Sequence, residues 1–200
     1  MKIDITLKIT PNMVRDANGN GKKTLIGHLG THFDVMDKEF PLHYTQRKGI
    51  VFDVSSVKDK DIDIRDIDLS KVGPNMFVAF YTGFIDEVGY GTVRYFKEHP
   101  QVSPSLIDEL LVRKVSIIGI DFAGLRRGKE HTPMDQHCAD HGLFVVENLC
   151  NLKSVVDKGG SFVANTYPMN FADVSGLPCR VIADVENMDE TIECHRKEML

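Results

Sequence analysis

Tryptophan is absent, and the four cysteines, Cys138, Cys150, Cys179 and Cys194, are scattered without a CxxC pair. That spacing excludes a disulfide framework and makes a reducing cytoplasm the expected compartment. No apolar run approaches the roughly 18 residues that a membrane span needs, so no membrane contact is expected. The opening MKIDITLKIT alternates polar and apolar residues and has no continuous apolar core of the signal-peptide kind. Positive charge is in deficit: 24 Lys and Arg stand against 29 Asp and Glu, a net charge of −5. No nucleic-acid footprint follows from such a balance. Repeats, low-complexity tracts and a convincing linker are also missing, and a single domain over residues 1–200 is expected.

What is present is an ordinary globular composition, 42% hydrophobic and 26% charged. Ile3, Ile5, Leu7 and Ile9 lie on one face of a period-two pattern, which predicts a half-buried strand. The PNM and DANGNG segments supply turn chemistry, with Thr24–His28 as the return strand of a hairpin. Further strands are predicted at Gly49–Ser55, Met76–Thr82, Val115–Asp121, Leu143–Glu147, Phe162–Asn165 and Cys179–Val185. The runs VSIIGID and LFVVE are apolar throughout and end in an acid, as central strands buried on both faces do. Between the first and second of these strands, KDKDIDIRDIDLSKV reads as a solvated connector with a short strand or helix turn. One helix is clear: Ser103 as N-cap, Pro104 in the first turn, and Leu106, Leu110 and Leu111 along one face. The histidine-rich segment Gly124–Gly142 reads as a polar loop at the carboxyl end of a central strand. Sites in α/β proteins favour that position, so Arg126, Arg127 and Lys129 are candidates for binding a substrate carboxylate, the alternative being a solvated loop. The fold class is α/β, a strand-rich mixed sheet with few helices.

The densest chemistry lies in GHLGTHFDVMDKEFPLHY, Gly27 to Tyr44. In an ideal helix His28 and His32 share a face but Asp34 points almost opposite His32. In an ideal strand all three share a face, but the two histidines stand about 13 Å apart. A turn at Gly30–Thr31 followed by extended residues brings all three to one point, and Gly30 has the backbone freedom for it. Two imidazoles and a carboxylate suit zinc, manganese or iron better than calcium or magnesium.

The octapeptide GHLGTHFD resembles HxGTHxD, the signature of the cyclase-family metal-dependent hydrolases, which include kynurenine formamidase and isatin hydrolase. Further landmarks follow in family order: IDITLKITPNM, FVAFYTGF, HPQVSPSLIDELLVRKVSIIGID and GLFVVENLCNL, from Ile3 to Leu152. The resemblance implies the swivelling β/β/α architecture, a divalent metal (Zn2+, with Mn2+ as the alternative) and assembly as a homodimer or larger oligomer. It places metal ligands at His28, His32, Asp34 and Glu147. A further ligand is a histidine twelve residues before the glutamate in the family. Here that position is Asp135, while His137 stands ten before, so either Asp135 replaces the histidine or a deletion brings His137 into its place. The family's acid/base histidine falls on Lys38. Pro41-Leu42-His43-Tyr44 repeats its P-x-H-aromatic pattern five residues late, which makes His43 the candidate base after an insertion, or else a surface histidine. Without His43, proton transfer falls to Asp37, Lys38, Glu39 or Glu147.

The implied function is hydrolysis of an amide, formamide or cyclic amide C–N bond in a small-molecule substrate. The metal would lower the pKa of a water and polarise the carbonyl. His43 and Glu147 are the candidate catalytic groups, with Thr31 or backbone N–H groups near Gly30 against the oxyanion. Cys138 is a candidate thiolate ligand. The rival is a non-catalytic metal- or ligand-binding relative, favoured by Lys38 and Asp135 standing where the family has histidines.

Overall fold

A ring of seven strands organises the computed structural model, which describes residues 1–24 and 27–185. The strands are β1 (Lys2–Asp4), β2 (His32–Asp34), β3 (Gln46–Asp53), β4 (Phe77–Tyr81), β5 (Ile117–Ile120), β6 (Phe144–Glu147), β7 (Ser161–Pro168) and β8 (Gly176–Asp184). The order is β1-β8-β2-β6-β5-β4-β3-β7, and β7 pairs back onto β8. Strands β2 to β8 therefore close into a mixed barrel, with β1 added along one edge of β8 beyond the stretch that pairs with β2. From β3 through β4 and β5 to β6 the ladders are parallel. From β6 through β2, β8 and β7 back to β3 they are antiparallel. The strand-rich mixed α/β class agrees with expectation, and the helices are short.

Alternation along the strands separates two cores. Phe33, Val51, Phe77, Ala79, Ile117, Val146, Phe162, Ala164, Leu177 and Val181 form one cluster drawn from all seven ring strands. Their neighbours Ile50, Phe52, Val78, Phe80, Ile118, Ile120 and Val145 face the other way and pack with the helical layer. Helices α1 (Pro11–Ala17), α2 (Gly21–Thr24), α3 (Phe84–Val88), α4 (Val93–Lys97), α5 (Pro104–Val112), α6 (His131–Asp140) and α7 (Leu152–Val156) fill the connections. As read from the sequence, α5 starts with Ser103 accepting from the Leu106 N–H and with Pro104 in its first turn, and it buries Leu106, Ile107 and Leu110. The connector after β3 holds two 3-10 turns, Ile64–Asp66 and Leu69–Lys71. It is pinned by buried Ile62, which bridges to Val102.

Three expectations change. The strand predicted through Ile3, Ile5, Leu7 and Ile9 ends at Asp4, with Leu7 and Ile9 outside it and Ile9 exposed. The PNM turn and the hairpin are replaced by α1 and α2. Thr10 caps α1, accepting from the Met13 N–H, and Pro11 occupies the first turn, a position that suits a residue without an N–H. Of the predicted return strand, Thr24 ends α2, residues 25 and 26 lie outside the described residues, and Gly27 and His28 belong to no strand. The segment read as a polar loop, Gly124–Gly142, contains α6. Its buried residues Asp135, Cys138 and Ala139 have helical spacing, and Gly142 follows the end at φ +75°. Among the described residues no helix is long and apolar enough to cross a membrane.

Buried Asp121, just past β5, ties two landmarks together. Its Oδ2 accepts from the backbone N–H of Thr82 (2.9 Å) and of Gly83 (2.7 Å), and its Oδ1 accepts from the Thr82 hydroxyl. The turn leaving β4 is thus held by the acid leaving β5. Burial pushes the Asp121 carboxyl up to about 7 despite those bonds. Asp121→Ala strands three donors in a buried turn and is expected to destabilise the protein by about 3 kcal/mol. Urea unfolding of the two proteins side by side measures this, and a loss below about 1 kcal/mol would mean the turn stands without the carboxylate.

Candidate metal centre

The HxGTH segment folds because Gly30 takes φ +72° and leaves the space of a Cβ to the Ile9 side chain. A residue with a side chain would face both the strained φ and the collision. The turn then enters β2, where His32 and Asp34 point to one side and Phe33 to the other. His28 Nδ1, His32 Nε2 and Asp34 Oδ1 converge: His28 to His32 is 2.9 Å, His28 to Asp34 3.2 Å and His32 to Asp34 3.5 Å. Ligands on a tetrahedral ion at 2.0–2.1 Å stand about 3.3 Å apart, so this triad has the spacing of donors around one ion. Together these residues form a candidate site for a metal ion.

Glu147 joins through the sheet. β2 and β6 pair with His32 directly opposite Glu147, so residues far apart in sequence share one rung and one face. His32 Nε2 stands 3.7 Å from Glu147 Oε2. Helix α6 supplies Asp135 and His131, one turn apart. His131 Nε2 lies 3.3 Å from Asp135 Oδ2 and 3.9 Å from Glu147 Oε1.

Burial decides the electrostatics. Asp34, Asp135 and Glu147 are 2%, 2% and 5% exposed. Burial would raise the Asp34 carboxyl, but the charge and hydrogen bonds of His32 and His28 hold it well below the usual range. Asp135 is raised well above that range, first by burial and then by the charge of Asp34. Glu147 is raised by burial and by both aspartates. Each carboxylate keeps one buried oxygen without a partner: Asp34 Oδ2, Asp135 Oδ1 and Glu147 Oε1. Orphaned buried oxygens next to two imidazoles fit a divalent cation, which supplies both the missing partner and the missing charge.

The surroundings orient the ligands. His32 Nδ1 donates to the Gly30 carbonyl (2.8 Å), leaving Nε2 with its lone pair toward the triad. That carbonyl also accepts from Asn148 Nδ2 (2.9 Å), and Asn148 Oδ1 accepts from the Tyr95 hydroxyl (2.8 Å). Ser175 Oγ holds His28 Nε2 at 2.9 Å. Asn148, Tyr95 and Ser175 carried no sequence signal of this role, because each acts through a partner distant in the chain. His131 was missed because α6 read as a loop. Once Pro133 and Gly142 are taken as the first turn and the stop of a helix, the i, i+4 pair His131 and Asp135 stands out.

Other candidates lie elsewhere. His137 faces Asp108 (3.4 Å) and is partly exposed, whereas Asp135 is buried beside His131 and within the electrostatic reach of Asp34. His43 is exposed on the 3-10 turn Leu42–Tyr44, edge-on to the ring of Tyr44. The turn is fixed by Phe40 and Tyr44, which pack on Phe144, and this leaves His43 pointing outward. Lys38 pairs with Asp140 (2.7 Å) and Asp37, and Asp37 accepts from Gln136. The Arg126 guanidinium is consumed by Asp61, Glu130 and the Val102 carbonyl. Arg127 is exposed, and its Nη1 is 3.5 Å from the Lys97 carbonyl. The Thr31 hydroxyl donates to the Asn148 carbonyl and the Gly30 N–H to Tyr90 Oη, so both oxyanion candidates are already engaged. Burial raises the Cys138 thiol, which leaves it a protonated packing group in the outer core.

This constellation has relatives. The family model described as "Putative cyclase" matches residues 3–125. The chain belongs to the cyclase family. The cyclase match spans the HxGTHxD triad and stops before α6 and β6. Solved structures extend the likeness over the rest of the fold. A "Potential Metal-Dependent Hydrolase With Cyclase Activity" has a TM-score of 0.74 at 23% identity, covering 94% of this chain and 98% of its own. A predicted metal-dependent hydrolase from Bacillus stearothermophilus has 0.70 at 22%, covering 92% and 97%. Isatin hydrolase A from Labrenzia aggregata has 0.70 at 16%, covering 93% and 94%. At these identities the likeness is one of fold. No curated protein sequence matches the chain.

A pH dependence follows from the raised carboxyls. Asp135 and Glu147 bind protons more tightly folded than unfolded. Their stabilisation is full below about pH 4 and is lost as pH rises through the raised folded values. Asp34 runs the other way: its stabilisation is lost only as pH falls below the ordinary carboxylate value, so it stays constant above about pH 5. A cation that takes the place of the protons reverses the loss. Excess Mn2+ is therefore expected to raise Tm more at about pH 8 than at about pH 5.5. Equal shifts at both, by calorimetry, would show that the two carboxylates take no part.

Proposed function

We propose that this cyclase-family protein is a metal-dependent hydrolase that opens an amide, formamide or cyclic amide C–N bond. The observation that carries the reading is the convergence of His28, His32 and Asp34, with an unpaired, buried oxygen on Asp34 and on the acids Asp135 and Glu147 that feel its charge. His28, His32 and Asp34 would hold the ion, with Asp135 and Glu147 completing or flanking the set. Zn2+ suits the two imidazoles, and the carboxylate at Asp135 moves the preference toward Mn2+. The ion, when bound, supplies Lewis acidity that acidifies water and polarises the scissile carbonyl.

Proton transfer falls to Glu147. Its carboxyl is raised by burial and neighbouring charge, and its free Oε1 accepts the proton of the attacking water and returns it to the leaving nitrogen. His43 has no part in this scheme, because its ring is exposed beside Tyr44. The swivelling β/β/α architecture implied by the family resemblance belongs to the same proposal. The isatin hydrolase neighbours make cyclic amides the first substrates to try.

The test reloads metal-free protein with Zn2+ or Mn2+ and measures hydrolysis of cyclic amides, formamides and lactones by absorbance. His32→Ala is expected to lose stoichiometric metal and at least about 1,000-fold in kcat/KM, while His43→Ala stays within about twofold. Full activity of His32→Ala, or of wild type under chelator, would overturn the assignment. Inactivity of metal-loaded wild type across the whole panel would favour a binding relative, the reading to which Lys38, tied to Asp140 where the family has histidine, lends support.

A further inference from the structure

His131 is a histidine of the site that neither the sequence motifs nor the family match, which ends at residue 125, assigns. Its ring is held at both nitrogens. As the first residue of α6 it shares a helix face with Asp135, four residues on. Its Nδ1 stands 3.2 Å from the Arg126 carbonyl, which can only accept. Nδ1 therefore carries a hydrogen, and in the neutral ring the lone pair sits on Nε2. Nε2 points between Asp135 Oδ2 and Glu147 Oε1.

The backbone around His131 is shaped to the ring. Gly124 has φ +103°, and a Cβ there would collide with Nδ1 and Cε1 of His131. The imidazole thus lies where only glycine leaves room, on a conformation only glycine adopts without strain. The Arg126 carbonyl cannot drift, because the same residue's guanidinium is tied to Asp61, Glu130 and the Val102 carbonyl. Glu147 then stands between two imidazoles, with Oε2 toward His32 and Oε1 toward His131.

We infer that His131 is a nitrogen donor to the metal site, its Nε2 entering from α6 beside Asp135 and Glu147. A ligating imidazole whose other nitrogen donates to a backbone carbonyl is the usual arrangement at protein-bound metals. The inference rests on the proposal that the cluster binds a cation, and it adds the residue that finishes the set. The alternative is an imidazolium that only balances Asp135. The two predict opposite signs, since an imidazolium competes with the cation and its removal would tighten binding or leave it unchanged.

The experiment uses Co2+ and Zn2+ alone as probes on the full chain, with affinity from chelator competition and geometry from the Co2+ d–d absorption. His131→Ala is expected to weaken binding about 10- to 100-fold and to shift the d–d band. Gly124→Ala, which keeps the imidazole but crowds it, moves both in the same direction. His141→Ala, an exposed histidine on the same segment, leaves both unchanged. In wild type labelled with 15N-histidine, Zn2+ moves the Nε2 resonance of His131 together with that of His32, a readout needing no variant. Wild-type affinity and spectrum in His131→Ala, or a His131 resonance that Zn2+ leaves in place, would overturn the inference while His32→Ala still abolishes binding. If wild type binds neither ion, this inference and the proposed function fall together.

Discussion

Three carboxylates withdrawn from water and set within reach of one another repel, and much of the site's construction answers that repulsion. Two imidazoles settle Asp34 alone, and its carboxyl is correspondingly held low. Asp135 and Glu147 receive no such relief and are driven upward. A fold that leaves two buried acids uncompensated gives up stability that a hydrophobic core of the same volume would have kept. Sheet and helix nonetheless converge on this point: the HxGTH turn, the His32–Glu147 rung and α6 all deliver polar groups to it. The acid that holds the turn after β4, Asp121, shows the contrast, because there the acceptor atoms meet N–H and O–H donors.

The triad was legible because its chemistry is local. His28, His32 and Asp34 lie within seven residues, and because neither an ideal helix nor an ideal strand joins all three, a turn at Gly30–Thr31 is expected. The central strands were legible for a different reason: buried on both faces, β4, β5 and β6 must be apolar throughout, and they read as uninterrupted runs. Glu147 came through the family resemblance, and the structure adds the rung that explains why it meets His32.

The rest was hidden by distance or by polarity. β2 has three residues and two of them are polar, so neither periodicity nor hydrophobicity marks it as a strand. α6 buries an aspartate in place of an aliphatic side chain, and a site-facing helix of that kind looks like a loop until its turn and stop residues are weighed. His43 stands apart from the triad for the opposite reason. It sits in a fitting P-x-H-aromatic string, but the aromatic ring of that string packs inward on Phe144 and turns its neighbour out to solvent. The partnership of Asn148 with Gly30 and Tyr95 spans residues that only the folded chain brings together.

Closure of the barrel has a consequence beyond stability. In an open sheet a strand can slip by one residue and disturb only its neighbours, whereas in a ring the stagger must sum to the same value all the way round. The rung that pairs His32 with Glu147 is one link of that circuit, so its alignment is enforced by β3, β4, β5, β7 and β8 as well as by its own two strands. Length changes are then confined to the connections. The segment between Met36 and Thr45 is one such place, where residues can be gained or lost without the register of the ring recording it.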